Sequence, residues 1–589
     1  MTDEPAKPKS FRDPVEPETR AEWLLADCVL SGEIADVSDF EVEAEKEVRA
    51  EFLRNLCLNA ELKNVDPLGI QLGGARVTGT LNLESAVLDR SLWFFDCTFT
   101  DQPDFADANG KSLGFIDCTL PGILADRFFL KGNLSLNGAT VTGEVRLLGA
   151  NVDGQVDCVN ASFSDEGRNT FTADGLKVGG GLFFRDATLT GITRLLCAKV
   201  DRQVECVGAV FTNQGGDAFC ADGLEVEGDI SFQGAKMVGE TRLLGAKVGG
   251  QVNCSGATFT NEGSMAFAAD GLKVGGDISF QGATMTGETC LSGVRVGGQV
   301  NCSEAAFMNE GDAAFIAGDI DVGGPLFFTD LKTPVVGGMS LNHASVDSLI
   351  ADGSGWPDAG LLDLDGFRYR TLGGYEPWKV LLGWIELQPL GQFTPQPYEQ
   401  AMKVYREAGH IADAREMGIA KMEAYRKYGD LSPAERVWLW IAGPLIKYGY
   451  KPWRALYYAL GVFALSVFVF AYAFDAGHME PSKERVYLHE CYQLEKPTQP
   501  CAGWVRPARW WVLASPYRLP VDYPTFNPIT YSLDTIVPIV DLHQEAYWLP
   551  RDTKPWGGFF RAWHWLHIGL GWMLTTLFVT GLTGIVKKD

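Results

Sequence analysis

Repeated carboxylates are the first residues of this chain that could do chemistry. Asp174, Asp222 and Asp270 each stand in an Ala-Asp-Gly-Leu motif and are spaced by 48 residues. A carboxylate that lines a groove can act as a general acid or base. Asp-Gly is also a common turn sequence, and a residue that recurs once per repeat usually makes the same turn each time. The motif therefore favours a structural role over catalysis.

Cysteines follow the same spacing. Cys158, Cys206, Cys254 and Cys302 are again 48 residues apart. A zinc site requires thiols that are grouped closely together, whereas a small buried cysteine stacks well in a core. We expect a structural ladder of buried cysteines.

Arginines form a third row. Arg146, Arg194 and Arg242 share the 48-residue interval, and Cys290 stands at the next position. We interpret these arginines as a solvated row. The alternative is that they mark a surface for an anionic partner.

Another group of ionisable residues lies near the C-terminus. Asp534, Asp541 and Glu545 lie in and just after an apolar stretch, where rings of carboxylates from several subunits could guard a pore. The alternative is that the segment packs along an outer surface and these acids are solvated. His567 lies inside an apolar run, and an ionisable group at membrane depth usually faces protein or water.

No metal site and no enzyme motif is predicted. His478, His489, His543 and His564 could meet around a metal, but their spacing matches no recognised ligand pattern. The sequence has no Gly-rich phosphate-binding motif, no GxSxG, no HExxH and no CxxC. We therefore predict a non-enzymatic protein without a metal or cofactor.

The 48-residue interval extends to the aromatic residues and predicts the fold. Phe171, Phe219, Phe267 and Phe315 form one such series. Residues 271–303 divide into three 11-residue stretches with apolar residues at alternate positions, which is typical of strands. Identical side chains at a fixed interval stack when successive turns lie over one another. We predict a mainly β protein with a right-handed parallel β-helix, a solenoid, over residues 66–365.

Two apolar runs indicate a membrane. Ala455–Phe474 contains 20 residues without a charge, which is long enough to cross a hydrocarbon core as a helix. Residues 565–586 carry only His567 as an ionisable group. We predict two transmembrane helices, 455–474 and 565–586, joined by an external loop over residues 475–564.

The charges around these runs predict a topology. No signal-peptide pattern precedes the first span, and Lys447, Lys451 and Arg454 lie on its N-terminal side. We expect both termini in the cytoplasm and the chain in the inner membrane. Cys491 and Cys501 would then lie in an oxidising compartment and could form a disulfide. With the inverted topology they would be free thiols.

The remaining segments are predicted to be helical. We expect a disordered start to about Asp13 and a helical cap within residues 1–65, which covers the open edge of the first turn. Residues 366–454 form a connector, in which residues 398–429 resemble a single tetratricopeptide-like hairpin. Residues 455–589 form the membrane module.

The membrane module resembles a known pore architecture. The order of span, external loop, apolar re-entrant segment 525–550 and second span is similar to the module of two-transmembrane potassium-type channels. Ser532–Thr535 lies where that family ends its pore helix. The selectivity filter of that family uses glycines, and this chain has none between Gly503 and Gly557. Potassium selectivity is therefore not predicted.

Charge and layout favour a protein that acts by interaction. The net charge of −25 makes nucleic acid a poor partner. The layout resembles bacterial membrane proteins with a pentapeptide-like solenoid and two C-terminal spans. We predict a homo-oligomeric scaffold or sensor, anchored in the lipid bilayer, whose cytoplasmic solenoid binds an unknown protein partner. The alternatives are an oligomeric channel gated by the solenoid and, least favoured, a membrane oxidoreductase or other enzyme.

Overall fold

A computed structural model describes most of the chain as two compact units, residues 1–414 and 415–589. The described residues are 15–59, 66–353, 355–374, 376–389, 391, 393–493, 498, 500–506, 518–552 and 555–583. The start of the chain that was predicted to be disordered, to about Asp13, lies outside the described residues. The predicted end of the second span, after residue 583, also lies outside them.

The first unit is a parallel β-solenoid of about 13 turns, which confirms the predicted β-helix. Its right-handed sense stays a prediction. Short strands from successive turns pair in parallel and build two sheets, one of 24 strands and one of 16. The strands of the larger sheet are Ala35–Asp36, Ile70–Gly73, Leu92–Phe95, Asn109–Gly110, Leu113–Ile116, Phe129–Leu130, Leu134–Ser135, Asn151–Val152, Val156–Asp157, Lys177–Val178, Leu182–Phe183, Lys199–Val200, Val204–Glu205, Glu225–Val226, Ile230–Ser231, Lys247–Val248, Val252–Asn253, Lys273–Val274, Ile278–Ser279, Arg295–Val296, Val300–Asn301, Asp321–Phe328, Ser345–Ala351 and Arg368–Leu372. The strands of the smaller sheet are Glu47–Arg49, Arg76–Thr78, Thr98–Phe99, Thr119–Leu120, Ile123–Leu124, Thr140–Val141, Val145–Arg146, Ser162–Thr172, Thr188–Arg194, Val210–Cys220, Lys236–Arg242, Thr258–Ala268, Thr284–Cys290, Ala306–Ile316, Val336–Ser340 and Leu362–Asp363.

The 48-residue repeat consists of two turns of unequal length. Leu182 pairs with Val204, 22 residues later, and Val204 pairs with Ile230, 26 residues later. The four extra residues lie within Val210–Cys220, where the register shifts, and the Asn213 side chain donates a hydrogen bond to the Asp217 carbonyl at 2.9 Å. Asn261 and Asn309 make the same bond in the following repeats. The longer turn therefore carries a small loop closed by an asparagine.

The interior alternates small and large side chains along the axis. Each ladder cysteine occupies the position that phenylalanine takes in the next turn, and all of them are buried. The row is Cys158, Phe184, Cys206, Phe232, Cys254, Phe280, Cys302 and Phe328. Alternation of small and large residues lets neighbouring layers fill the core without voids.

The solenoid is longer at both ends than the predicted residues 66–365. Strand Ala35–Asp36 pairs with Leu72 and Gly73, so the N-terminal cap contributes to the first turn. Two residues are too few to show an alternating pattern in the sequence. Helices α1, Arg20–Ser31, and α2, Ala50–Leu58, complete the cap.

Two helices pack at the other end of the solenoid. They are α3, Trp378–Ile385, and α4, Gln396–Glu407. The side chains of Gln396 and Gln400 donate hydrogen bonds to the carbonyls of Phe367 and Tyr369. The first helix of the predicted hairpin is therefore bound to the last solenoid turn.

The second unit contains the two long apolar helices. The other α-helices within the described residues are α5, Ile411–Tyr428, α6, Pro433–Ile446, α7, Arg454–Asp475, α8, Glu484–Tyr487, α9, Glu490–Gln493, α10, Pro528–Ile536, and α11, Gly557–Leu582. Two antiparallel strand pairs join Met479–Pro481 to Trp548–Pro550 and Trp504–Val505 to Leu519–Pro520. By length and composition, α7 and α11 are long and apolar enough to span a membrane.

Candidate functional site

The candidate site is built around the short helix α10, which packs against both α7 and α11. Asn527 caps its start, since the side-chain oxygen accepts the Ile529 amide at 2.9 Å. The helix ends against α11 at Gly571. A Cβ atom at residue 571 would lie 2.1 Å from the Ile536 carbonyl oxygen, so this crossing requires glycine.

His567 joins the three helices through a buried chain of hydrogen bonds. Its Nε2 lies 3.1 Å from the Ser532 carbonyl oxygen of α10, and its Nδ1 lies 2.7 Å from the Ser466 hydroxyl of α7. A carbonyl only accepts, so Nε2 carries the proton and Nδ1 accepts from Ser466. The Ser466 oxygen in turn accepts the Trp563 indole N–H at 3.1 Å. This ionisable residue is thus fully satisfied by protein groups.

His564, one turn earlier on α11, makes a second connection to α10. Its Nδ1 lies 3.2 Å from the Tyr531 hydroxyl, and its Nε2 lies 3.5 Å from a Glu545 carboxylate oxygen. Tyr531 and His564 are buried, whereas Glu545 is partly exposed. Polar groups therefore run from the surface at Glu545 into the helix core.

The three acids considered for a pore have different environments. Asp534 accepts the backbone amides of Leu542 and Glu545, so it organises the loop that follows α10. Asp541 is exposed and pairs with His543, which lowers the pKa of Asp541 and raises that of His543. Burial, together with Asp534 and Asp541, raises the pKa of Glu545. Asp541 is the exposed member of the three, and it also accepts the His543 backbone amide at 2.9 Å.

An aromatic core supports the segment between the long helices. Phe474 stacks on Phe526 with ring centroids 4.7 Å apart, and Trp548 packs edge-on against both. The Cys491 and Cys501 sulfurs are joined as a disulfide, with 5.8 Å between the Cα atoms. The segment thus has a core and a covalent link of its own.

The four histidines weighed as metal ligands do not share a site. Within the residues described by the structure, no group of three or more His, Cys, Asp or Glu side chains is arranged to hold a metal ion. Each histidine contacts a different partner instead. The pairs are His478 with Phe560, His489 with Trp504, His543 with Asp541, and His564 with Tyr531.

The repeated residues of the solenoid pair with one another. Asp174 accepts a hydrogen bond from Arg194 at 2.6 Å, and Asp222 accepts one from Arg242 at 2.6 Å. Cys290, which replaces the next arginine, places its sulfur 2.9 Å from an Asp270 oxygen. The arginines expected to form a solvated row are therefore half-exposed partners of the turn aspartates. Each pair also adds charge-assisted bonding between turns.

The ladder residues offer no reactive group. Phe171, Phe219, Phe267 and Phe315 are buried, as are the four cysteines at positions 158, 206, 254 and 302. Burial raises the pKa of all four ladder thiols, which keeps them protonated and inert.

Sequence reasoning identified His567 but missed its partners. Ser466 is a polar residue in an otherwise apolar run, and that signal was available in the sequence. Tyr531 and Trp563 carried no such signal, because aromatic residues are ordinary in apolar helices.

Comparison of this chain with models of protein families, with curated proteins and with solved structures finds no match.

Proposed function

We propose that this protein is a non-enzymatic scaffold or sensor whose solenoid binds a protein partner at the inner membrane. One observation carries the proposal: the recurring aspartates, arginines and cysteines of the solenoid bond or stack with one another in successive turns. What the solenoid offers to other molecules is then its long, regular surface. Such surfaces serve binding in other repeat proteins.

In this proposal α7 and α11 cross the membrane, with the solenoid in the cytoplasm and residues 476–556 outside. The distribution of cysteine oxidation supports this topology. The eleven cysteines from Cys28 to Cys302 are free, and only Cys491 and Cys501 are joined. Disulfides persist in oxidising compartments and are rare in the bacterial cytoplasm.

A single natural thiol can test this arrangement. Cys197 is the exposed member of the free cysteines. A membrane-impermeant maleimide should leave Cys197 unlabelled in intact cells and label it after permeabilisation, and Cys197→Ser should abolish that label. The protein should also stay in the membrane fraction after washing with alkaline carbonate. Labelling of Cys197 in intact cells, or release by carbonate, would contradict the proposal.

A second candidate function is an oligomeric pore. The observation that favours it is the position of α10, a helix too short to cross a membrane, between two helices long enough to do so. Residues 525–550 would then form a re-entrant segment, with Asp541 rings contributed by several copies. Two spans cannot enclose a pore alone, so this function requires a homo-oligomer.

Stoichiometry and ion flux test the pore. A monomer in detergent would exclude it, and a ring of four or more copies with flux in liposomes would support it. Asp541→Asn should reduce the flux without unfolding the loop, because Asp541 is exposed. Asp534→Asn is a less suitable variant, because Asp534 holds two backbone amides of its loop.

A further inference from the structure

The solenoid carries a row of exposed basic residues that its own acids neutralise only in part. We call the row the basic ridge: Lys177, Lys199, Lys247, Lys273 and Arg295. The five occupy the same position of successive strands in the larger sheet, with one interruption at Glu225. Neighbouring strands lie about 4.8 Å apart. Lys247, Lys273 and Arg295 therefore stack like charges on three consecutive turns.

This ridge differs from the other basic residues of the solenoid. Like charges directly opposite one another destabilise a sheet, and six solenoid arginines avoid this by pairing with an acid. These arginines are Arg127, Arg146, Arg185, Arg194, Arg242 and Arg370. In the ridge, by contrast, Lys177, Lys273 and Arg295 make no ion pair within the described part of the chain. The chain as a whole has a net charge of −25, so the ridge is a local exception.

Glu225 is the one acid within the ridge. Its carboxylate lies 2.6 Å from the Lys199 amine and 2.8 Å from the Lys247 amine. These two lysines hold the pKa of Glu225 at about 2, so it is charged at neutral pH. Glu225 partly neutralises the middle of the ridge. Beyond Arg295 the row ends at Asp321 in the next turn, with which Arg295 makes no ion pair, so Lys273 and Arg295 remain exposed.

A stripe of backbone without side chains lies beside the ridge. Glycine pairs follow Lys247, Lys273 and Arg295 at 249–250, 275–276 and 297–298. A Cβ atom at Gly275 would lie 2.2 Å from the Gly249 carbonyl oxygen, so the close stacking of turns requires glycine there. The consequence is that another chain can approach the solenoid closely alongside Lys247, Lys273 and Arg295.

We propose that the basic ridge binds an acidic, extended segment of a partner protein, laid along the solenoid axis. The proposal deepens the scaffold function and rests on it for the cellular partner. Side chains on one face of an extended peptide are about 7 Å apart. Lys247, Lys273 and Arg295 are stacked over about 10 Å, so their long side chains can reach two such carboxylates. A nucleic acid or a membrane surface fits less well, because a duplex or a headgroup plane extends over a wide area, whereas the ridge is a single row of side chains.

The experiment uses the full chain in neutral-lipid nanodiscs and a fluorescent decaglutamate peptide. The wild-type protein should bind the peptide at low salt and lose it as salt rises. The triple variant Lys247→Gln, Lys273→Gln, Arg295→Gln should bind about tenfold more weakly, as expected for the loss of three exposed ion pairs. The matched control Arg76→Gln, Lys131→Gln, Lys236→Gln removes three exposed charges elsewhere on the solenoid and should leave binding unchanged.

A gain-of-binding variant separates recognition from folding. Glu225→Gln should release Lys199 and Lys247 for the peptide and tighten binding about threefold. Absence of wild-type binding, equal loss in the ridge and control variants, or tighter ridge-dependent binding of oligothymidylate or phosphatidylserine vesicles would overturn the proposal. Labelling of Cys197 in intact cells would contradict the proposed cytoplasmic scaffold, but it would not change the measured binding of the peptide to the ridge.

Discussion

The solenoid and the membrane module use polar side chains in different ways. In the solenoid, Asp174 bonds to Arg194 and Asp222 bonds to Arg242, each partner 20 residues away in the next turn. In the membrane module, Ser466 and His567 are 101 residues apart and meet only because α7, α10 and α11 pack together. The solenoid repeats a local solution, whereas the module depends on one convergent network.

This difference determines what a substitution should do. In a repeat protein each turn contacts only its neighbours, so damage stays close to the altered turn. In the module, loss of one member leaves buried groups of two other helices without partners. Hydrogen exchange can therefore distinguish the two cases. Protection should be lost only near the altered turn in the solenoid, but in several helices at once in the module.

The largest effect is expected from the aromatic interior of the solenoid. Phe219 is fully buried, and its ring centroid lies 5.4 Å from those of both Phe211 and Phe232. Phe219→Ala should cost about 3–5 kcal/mol, because it removes buried area and leaves a cavity. Hydrogen exchange should accelerate in Val210–Cys220 and the adjacent strands, and not in α10. Phe183→Ala is the control, because Phe183 lies in the larger sheet and is only partly buried, and it should cost less.

The second effect should be smaller in energy but wider in extent. His567→Ala removes the groups that bind Ser466 and the Ser532 carbonyl, which should destabilise the module by about 2–4 kcal/mol. Hydrogen exchange in detergent should accelerate in α7, α10 and α11 together. Met573→Ala, at a partly exposed position of α11, is the matched control.

A double-mutant cycle sharpens this second prediction. Ser466→Ala combined with His567→Ala should cost less than the sum of the single substitutions, because both remove the same hydrogen bond. Additive costs, or a loss of protection confined to α11, would show that the network does not connect the three helices.

The same contrast explains how much the sequence could predict. The 48-residue spacing of Phe219 and Cys206 was sufficient to predict stacked turns, because identical side chains must occupy equivalent positions. It did not predict that each repeat holds turns of 22 and 26 residues, since the four extra residues near Asn213 form a loop without an alternating pattern. The solenoid was therefore predictable in kind but not in the length of its turns.

The candidate site was less predictable. His567 was evident as an ionisable residue in an apolar run, but contacts over 101 residues depend on how helices cross, which no local pattern encodes. The three acids were expected either to form rings that guard a pore or to be solvated. Asp534 instead bonds to the loop backbone while Asp541 is exposed, and only the path of the loop after α10 separates these roles.

The smallest effect should come from the ion-pair row of the solenoid, where the chain supplies its own matched pair. Asp222→Asn removes one partner of the half-exposed Arg242 and should cost about 1 kcal/mol. Asp270→Asn should cost about half as much or less, because Cys290 already replaces the arginine there and its thiol is a weak donor. Hydrogen exchange can be measured separately for the two turns. The Leu244 amide donates to Asp222, and Ser292 is the residue at the equivalent position of the Asp270 turn. Equal effects at both turns would mean that the aspartates act through their turns alone and that the arginine row adds nothing to the cohesion of the solenoid.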